Sequence, residues 1–271
     1  MTRRVNVRGS ARVFAAVADA GVPALVYASS VGAYAPGPQE RAVDESWPTT
    51  GIQTSFYSRH KAEVERLLDR FEAEHPDVRA VRLRPALIFK REAASGIRRL
   101  FMGPLLPNRL VRPGMPPVLP FPSGLRTQAV HSLDVGHAYR LAAVKDVTGA
   151  FNLAADPVID AAVVESVLGT KTLKLSAALV RRAAWASWKL RLQPTSPGWL
   201  DMGMLSPIMA ADRAREVLGW EPQTNAAQAL QELLEGLRES AGMQTPPLDP
   251  AAGGPLRARE FATGVGATDR P

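Results

Sequence analysis

The sequence predicts an α/β protein whose strands form a parallel sheet. Two apolar runs, residues 24–28 and 78–83, have the length and composition of strands buried on both faces. Segments with helical periodicity precede and follow the first run, and the connections between them are short. Strands that alternate with helices in this way run parallel in one sheet, because each helix serves as a crossover.

Each element of the first half has its own local reason. Residues 3–20 carry an apolar stripe at helical spacing, and Gly21 follows the stripe as a stop signal. A loop rich in Pro, Gly and acidic residues then separates the first strand from a helix over 56–75. Pro76 opens the turn before the second strand. The order helix, strand, helix, strand is therefore set by local signals.

The next segment leaves the sheet and then returns to it. Residues 86–128 are predicted to form an inserted loop that is rich in proline and arginine. A strand over 129–130, a helix over 135–144 and a strand over 149–154 follow it. Ser132 or Asp134 is the predicted N-cap of that helix.

The C-terminal part is predicted to be mostly helical. The predicted helices cover residues 158–168, 175–192, 210–218 and 225–240. The second of them is basic and amphipathic, which suits a membrane surface or packing within this region, and we favour packing. The predicted organisation is a first domain over 1–155, a C-terminal substrate-binding region over 156–241 and a disordered Pro- and Gly-rich tail over 242–271.

Composition excludes several classes of protein. The chain has no cysteine, which excludes disulfides, thiol nucleophiles and Cys-ligated metals. No apolar run approaches the roughly 18 residues of a membrane span, and no signal peptide opens the chain, so we expect a cytoplasmic protein without a membrane partner. We predict no metal site and structural roles for the four histidines, His60, His75, His131 and His137.

The chain is basic, with a net charge of +7. Such a charge suits nucleic acid, anionic lipid or a phosphorylated ligand, and equally an arginine-rich coding composition. No helix-turn-helix, zinc or RNA-binding motif occurs, so we expect no nucleic-acid partner.

Tyr57 and Lys61 are the first candidates for chemistry. They stand four residues apart in the helix over 56–75, so their side chains lie on one face. A phenol titrates near 10, and a neighbouring ammonium is expected to lower that pKa and make the tyrosine a usable acid or base. An amphipathic surface helix would show the same pair by chance. Ser29 and Ser30 strengthen the functional interpretation, because they follow a strand at the sheet edge where ligands bind.

Several further motifs occur in a fixed order. They are Asn6-Val7-Arg8-Gly9-Ser10, Arg82-Leu83-Arg84-Pro85, Val130-His131-Ser132-Leu133-Asp134, Gly149-Ala150-Phe151-Asn152-Leu153 and Leu218-Gly219-Trp220-Glu221-Pro222. With the serines and Tyr57-x-x-x-Lys61, they resemble the extended branch of the short-chain dehydrogenase/reductase superfamily, the NAD(P)-dependent epimerases and dehydratases. The resemblance implies the C-terminal part of a Rossmann-like parallel sheet with a small, mostly helical substrate-binding region.

The resemblance also implies catalytic roles. Tyr57 would exchange a proton with a substrate hydroxyl or carbonyl oxygen, Ser30 would orient that oxygen, and Lys61 would hold the nicotinamide ribose. Asn6 would support a proton-relay water, or would simply begin a helix.

The same resemblance implies a cofactor and a substrate. The cofactor would be NAD or NADP, contacted by Tyr57, Lys61, Pro85 and Ala28. The substrate would be a sugar nucleotide or another small metabolite, contacted by Ser29, Ser30 and Arg126. For Arg126 an exposed, solubilising role is the favoured alternative.

One family feature is missing from the sequence. No strand is followed by a Gly-x-Gly-x-x-Gly or Gly-x-x-Gly-x-x-Gly turn, and Lys90-Arg91-Glu92 stands where a Gly-Pro turn is expected. We therefore expect the chain to lack the family's N-terminal half, through a misassigned start, a truncated gene or a partner chain. The strand over 24–28 would then have an unpaired apolar edge, which predicts a homodimer or pairing with another chain. Two functions stay open: an NAD(P)-dependent oxidoreductase or epimerase, incomplete as given, and an inactive remnant or interaction subunit of the same fold.

Overall fold

A computed structural model describes residues 2–102, 117–245 and 248–254, and within them the protein is a mixed α/β fold. The helices are α1 Gly9–Asp19, α2 Phe56–Glu74, α3 Ala94–Ile97, α4 Ser132–Val144, α5 Ala161–Leu168, α6 Ala177–Lys189, α7 Pro197–Leu205 and α8 Ala226–Glu239. The strands are β1 Ala24–Ala28, β2 Ala42–Val43, β3 Arg79–Pro85, β4 Leu87–Phe89, β5 Val118–Pro122, β6 Thr127–His131, β7 Gly149–Leu153, β8 Ala155–Ile159, β9 Lys171–Leu175 and β10 Ile208–Met209. Short π-helical segments cover Arg4–Arg8, Arg98–Met102 and Ala214–Leu218, and 3₁₀ turns cover Val31–Ala33, Arg91–Ala93 and Pro250–Gly253.

The chain forms two compact units that interleave along the sequence. The first unit comprises Met1–Ile88, Val130–Ala155 and Leu205–Thr224, and the second comprises Phe89–Ala129, Asp156–Met204 and Asn225–Pro271. The sequence predicted one boundary at residue 155 and did not foresee the return of the chain at 205. The return has a physical reason, because Leu218 and Trp220 are fully buried in the core of the first unit.

The predicted parallel sheet is confirmed in the first unit. Its order is β1-β3-β7, and both pairs of neighbours are parallel, with Val26 opposite Val81 and Leu83 opposite Phe151. One face is covered by a core that includes Val81, Leu83, Phe151 and residues of α4. Strand β1 lies at one edge of this sheet, as expected, and its pairing with another chain stays a prediction.

Helix α2 covers the other face of the sheet together with α1. Its buried apolar residues Val64, Leu68 and Phe71 recur at helical spacing and pack with Phe14 of α1. The helix begins where the sequence predicts, because Ser55 in extended backbone accepts a hydrogen bond from the Ser58 N–H at 3.4 Å. This cap fixes where the first turn of α2, with Tyr57, starts.

The predicted cap of α4 was wrong. Neither Ser132 nor Asp134 caps this helix: His131 is the N-cap, and its Nδ1 accepts from the Leu133 N–H at 3.3 Å. Asp134 instead sits in the first turn, buried, where its carboxylate accepts from the backbone N–H groups of Gln223 and Thr224. The Asp134 side chain therefore binds a backbone segment distant in sequence, although local rules predict that it caps its own helix.

The second unit contains a smaller parallel pair and helices. Strands β5 and β9 pair in parallel, and α3 packs on α8 through Ala94, Leu233 and Leu237. The predicted loop over 86–128 thus contains β4, β5 and short helical turns, while its residues 103–116 lie outside the described residues.

The predicted disordered tail is described only in part. Its residues 246–247 and 255–271 lie outside the described ranges. Within the described part, Pro250–Gly253 forms a 3₁₀ turn and Arg99 donates a hydrogen bond to the Asp249 carbonyl at 2.8 Å. Among the helices described, none is long and apolar enough to cross a bilayer.

Candidate active site

Ser30 and Tyr57 meet at the carboxyl end of β1. Ser30 follows the strand, and its Oγ accepts from the Gly32 N–H at 3.0 Å as the cap of the 3₁₀ turn Val31–Ala33. Tyr57 stands in the first turn of α2, and the neighbouring Ser30 hydroxyl acts to lower the pKa of its phenol. Ser58 joins the helix to the same turn, because its Oγ donates to the Gly32 carbonyl. The sheet and the helix cap together place Ser30 and Tyr57 beside one another.

Lys61 lies one turn further along α2. Its Nζ donates to the Ala28 carbonyl at 2.5 Å and lies 5.8 Å from the ring centroid of Tyr57 and 5.2 Å from that of Tyr27. A cavity of about 320 Å³ opens beside this ammonium. It is lined by Val5, Asn6, Ser10, Tyr27, Tyr57, His60, Lys61 and Val64.

The pKa of Tyr57 shifts in the direction opposite to the expected one. Burial raises the pKa of the phenol above its ordinary value, and the hydrogen bond with Ser30 opposes this only in part. Burial also lowers the pKa of the Lys61 ammonium, while the nearby Glu65 carboxylate opposes that shift. In this state Tyr57 is a protonated acid at neutral pH.

Ala28 and Pro85 occupy the ends of two neighbouring strands. Ala28 is the last residue of β1 and is exposed, whereas Pro85 ends β3 and is buried. Parallel strands place these two residues at the same edge of the sheet as Ser30. Their predicted contacts with a cofactor are compatible with this placement and stay predictions.

Ser29 has a partner of a different kind. Its Oγ donates to Oε1 of Glu65, whose side chain is completely buried on α2. Arg84 and Arg82 of β3 also bind this carboxylate. The sequence interpretation missed Glu65 and Arg84, although two signals were present. Glu65 continues the four-residue spacing of Tyr57 and Lys61, and the arginines occupy alternate positions of an otherwise apolar strand.

Arg126 lies in the second unit. It lines a cavity of about 230 Å³ together with Lys174 and the start of α5. Two cations line this cavity, which suits an anionic group, while the carboxylate of Asp160 caps α5 and offsets part of their charge. The other lining residues are Phe121, Pro122, Ser123, Gly124, Leu125, Asp160, Ala161 and Ala162.

The histidines contact neighbouring side chains, and their structural roles stay a prediction. His60 Nδ1 lies 3.4 Å from Asn6 Nδ2, His75 stacks near Phe71, and His137 contacts Arg140. Within the described ranges, no group of three or more His, Asp or Glu side chains is arranged to hold a metal ion.

The polar groups that line the cavity beside Lys61 match the hydrogen-bonding needs of the ribose at the nicotinamide end of a dinucleotide. The cavity offers an ammonium, a phenol, the Asn6 amide and the Ser10 hydroxyl around one open space. These groups donate and accept hydrogen bonds in the way that ribose hydroxyls require. The donor set therefore agrees with a nicotinamide ribose at this place.

The fold and the site define an extended short-chain dehydrogenase/reductase. In agreement, the sequence pattern of the NAD-dependent epimerase/dehydratase family matches residues 2–154. The chain belongs to this family.

A curated relative matches about a third of the chain. The decarboxylating sterol-4-alpha-carboxylate 3-dehydrogenase ERG26 of Saccharomyces cerevisiae is 33% identical over 99 residues, which are 35% of this chain and 28% of that protein. The match thus spans less than a third of this curated relative.

Solved structures resemble the chain over more of its length. The crystal structure of gox2253 superposes with a TM-score of 0.64 and 20% identity, over 90% of this chain and 74% of that one. The UDP-glucose 4-epimerase of Thermus thermophilus, in complex with NAD, gives a TM-score of 0.59 and 19% identity, over 86% and 70%. At these identities the likeness shows the fold.

Proposed function

We propose that this chain carries the catalytic residues of an NAD(P)-dependent oxidoreductase or epimerase that acts on a hydroxyl or carbonyl group of a small molecule. One observation carries the proposal: Tyr57 and Lys61 line one open cavity at the carboxyl end of β1, the strand that precedes Ser30. A surface helix with a chance Tyr-Lys pair would not place its tyrosine against a strand-end serine.

Tyr57 is the proposed acid and base. As a phenol it donates its proton to a substrate carbonyl oxygen that becomes a hydroxyl, and as a phenolate it takes that proton back in the reverse direction. Ser30 donates to the same oxygen and holds it at Tyr57. NAD or NADP, when bound, supplies the hydride acceptor or donor.

Lys61 is the proposed contact for the nicotinamide ribose. Its ammonium donates to the Ala28 carbonyl at 2.5 Å and lines the cavity of about 320 Å³. A ribose hydroxyl bound in this cavity would accept a hydrogen bond from the same ammonium. Binding there would move the positive charge relative to the Tyr57 phenol, which lies in the same cavity. Pro85 and Ala28 would border the nicotinamide at the strand ends, and Asn6 would hold a water.

The substrate is proposed to carry an anionic group. Arg126 and Lys174 line one cavity of the second unit, and either phosphate or carboxylate suits two cations. By its name, the epimerase described above acts on a sugar nucleotide, which carries phosphates, and the dehydrogenase acts on a sterol carboxylate. Both kinds of anion therefore occur among the substrates of proteins similar to this chain. A UDP-sugar is therefore a rational first probe.

The test is turnover by the purified chain with UDP-glucose and NAD or NADP, at cofactor concentrations well above millimolar. Net oxidation is followed by nicotinamide absorbance, and epimerisation or dehydration by chromatography of the nucleotide sugar. Tyr57→Phe should lower turnover by about 10² to 10⁴ because it removes the proton donor. Tyr139→Phe is the matched control: Tyr139 lies on α4 and does not line the cavity beside Lys61, so this variant should lower turnover far less than Tyr57→Phe.

Two results would contradict the proposal. Equal turnover by Tyr57→Phe and the unaltered chain would remove Tyr57 from the mechanism. No conversion of UDP-glucose, of other UDP- or dTDP-sugars or of a sterol carboxylate with either dinucleotide would favour the inactive alternative of the same fold.

A further inference from the structure

Glu65 is a buried carboxylate that the proposed mechanism does not use. It lies one turn beyond Lys61 on α2, and its side chain is 0% exposed. We propose that Glu65, clamped by Arg84, is a positioning residue that holds the strand end carrying Ser30 against Tyr57 and keeps a negative charge beside Lys61. This inference rests on the proposed function, since it assigns a role at the same site.

Several hydrogen bonds hold the Glu65 carboxylate in one position. Arg84 grips it with two parallel bonds, from Nε to Oε1 and from Nη2 to Oε2, both at 2.9 Å. Arg82 Nη1 adds a bond to Oε2 at 3.0 Å, and Ser29 Oγ donates to Oε1. Burial raises the pKa of this carboxyl, but Arg84, Ser29 and Arg82 together outweigh burial and hold the pKa of Glu65 below its usual range. The group is therefore ionised and held in one orientation.

The Glu65–Arg84 ion pair binds both ends of residues 29–34, the segment that carries Ser30. At one end, Ser29 is tied to Glu65. At the other end, Arg84 Nη1 donates to the Tyr34 hydroxyl at 3.0 Å, and that hydroxyl donates to Asn152 Oδ1 at 2.7 Å. Residues 29–34 are thus fastened at each end to the same ion pair. Ser30 lies between the two fastenings, so its position relative to Tyr57 depends on them.

Glu65 is also the anionic group that acts on Lys61. Besides Lys61, the cavity around this ammonium is lined by Tyr27 of β1, by Tyr57, His60 and Val64 of α2, and by the uncharged side chains Val5, Asn6 and Ser10. Burial lowers the pKa of Lys61, and the attraction of Glu65 works against that shift. Neutralising Glu65 removes the carboxylate partner of Arg84 and one of the three carboxylates that bind Arg82, and the added net positive charge would disfavour the Lys61 charge further.

A purely structural ion pair would affect stability and leave the site unchanged. The decisive readouts are therefore the protonation of Lys61 and the Ser30–Tyr57 contact. Carbon-13 labelling of the six lysines allows the Lys61 pKa to be followed by NMR in the whole chain, with Lys61→Gln to assign the signal. Crystal structures of the variants report the contact.

Glu65→Gln is compared with Glu72→Gln. Both changes remove one carboxylate of α2 that binds Arg82, but Glu72 does not bind Ser29 or Arg84. We expect the Lys61 pKa to fall in Glu65→Gln and to stay at the unaltered value in Glu72→Gln. An equal Lys61 pKa in Glu65→Gln and the unaltered chain would overturn the charge part of the proposal.

Ser29→Ala provides a second test that keeps the buried ion pair and hence the fold. We expect Ser30 to lie farther from Tyr57 in this variant than in the unaltered chain, with the Lys61 pKa unchanged. An unchanged distance between the Ser30 and Tyr57 hydroxyl oxygens in Ser29→Ala would overturn the positioning part, whether or not Glu65→Gln folds. Neither readout needs turnover, so a failure of the proposed function would be seen separately in the absence of any conversion.

Discussion

Burial dominates the chemistry of the tyrosine residues. The chain has four, and the pKa of each phenol is raised above its ordinary value, first of all by burial. Tyr34 shows how far this goes: the Arg84 guanidinium over its ring opposes the shift, yet its pKa rises to about 12. At Tyr57 burial keeps the proton on the phenol at neutral pH. Tyr57 therefore becomes a base only when a bound ligand or a shift of a nearby charge lowers its pKa.

Alkaline titration of the folded chain checks this. An unfolded tyrosine ionises near pH 10, whereas all four folded ones should do so only at higher pH. Because the folded state retains its protons where the unfolded state has lost them, stability is fully present below the unfolded pKa and falls as pH rises through the folded values. Tyrosinate absorbance should therefore appear together with unfolding, above the midpoint seen in denaturant. A normal midpoint for any tyrosine of the folded chain would contradict the burial account.

At the scale of elements, one helix serves the core and the site with different faces. Tyr57, Lys61 and Glu65 follow each other at four-residue spacing, while Val64 and Leu68 pack with α1. Packing of the apolar face sets the rotation of α2, so it also aims the polar face at the carboxyl end of β1. Helix α4 shows the same division, with Ala138 and Leu141 in the core and Asp134 bound to a distant backbone.

Asp134→Ala should destabilise the protein. Its carboxylate accepts from the Gln223 N–H at 3.0 Å and from the Thr224 N–H at 3.1 Å, and the side chain is 3% exposed. Loss of a charged acceptor leaves these donors unpaired, at a cost of about 1.5–3 kcal/mol. Urea denaturation measures the loss, and Asp134→Asn, which keeps one acceptor, should be affected less. A change within experimental error in Asp134→Ala would show that water replaces the carboxylate.

At the scale of the molecule, the three-stranded sheet of the first unit ends at β1 in the part of the chain that the structure describes. The sheet order β1-β3-β7 leaves β1 with one neighbour among the described strands. The groups proposed for a dinucleotide, Lys61, Tyr57, Ala28 and Pro85, all belong to its nicotinamide end. In Rossmann-type sites the pyrophosphate is bound by a glycine-rich turn and the positive end of a helix, a motif absent from this sequence.

We therefore expect weak binding of NAD and NADP by the chain. Each remaining hydrogen bond contributes about 0.5–1.5 kcal/mol, which is small against an association cost of at least about 4 kcal/mol. The affinity should be no better than about millimolar, or roughly −4 kcal/mol. Calorimetric titration measures it, with Lys61→Gln as the variant that should lose the remaining binding. Micromolar affinity for either dinucleotide would mean that the pyrophosphate has another site on this chain.

The sequence alone determined the class of fold, and it identified the candidate residues Ser30, Tyr57 and Lys61, whose catalytic roles stay a prediction. Apolar runs and helical periodicity act over a few residues, so they predict β1, α2 and β3 with the right order and direction. The four-residue spacing of Tyr57 and Lys61 and the strand-end position of Ser30 are local in the same sense. Local rules suffice for these features because the physical cause lies within one turn or one strand.

Only the tertiary structure decided how these residues behave. The spacing of Tyr57 and Lys61 predicted a lowered pKa for Tyr57, whereas burial raises it. Burial depends on contacts from several elements, which local sequence does not determine. Asp134 left its predicted cap for a backbone 89 residues away, and Trp220 returned to the core of the first unit. Glu65 and Arg84 became visible as a pair only when α2 packed on β3, because no local rule states which buried charges will meet.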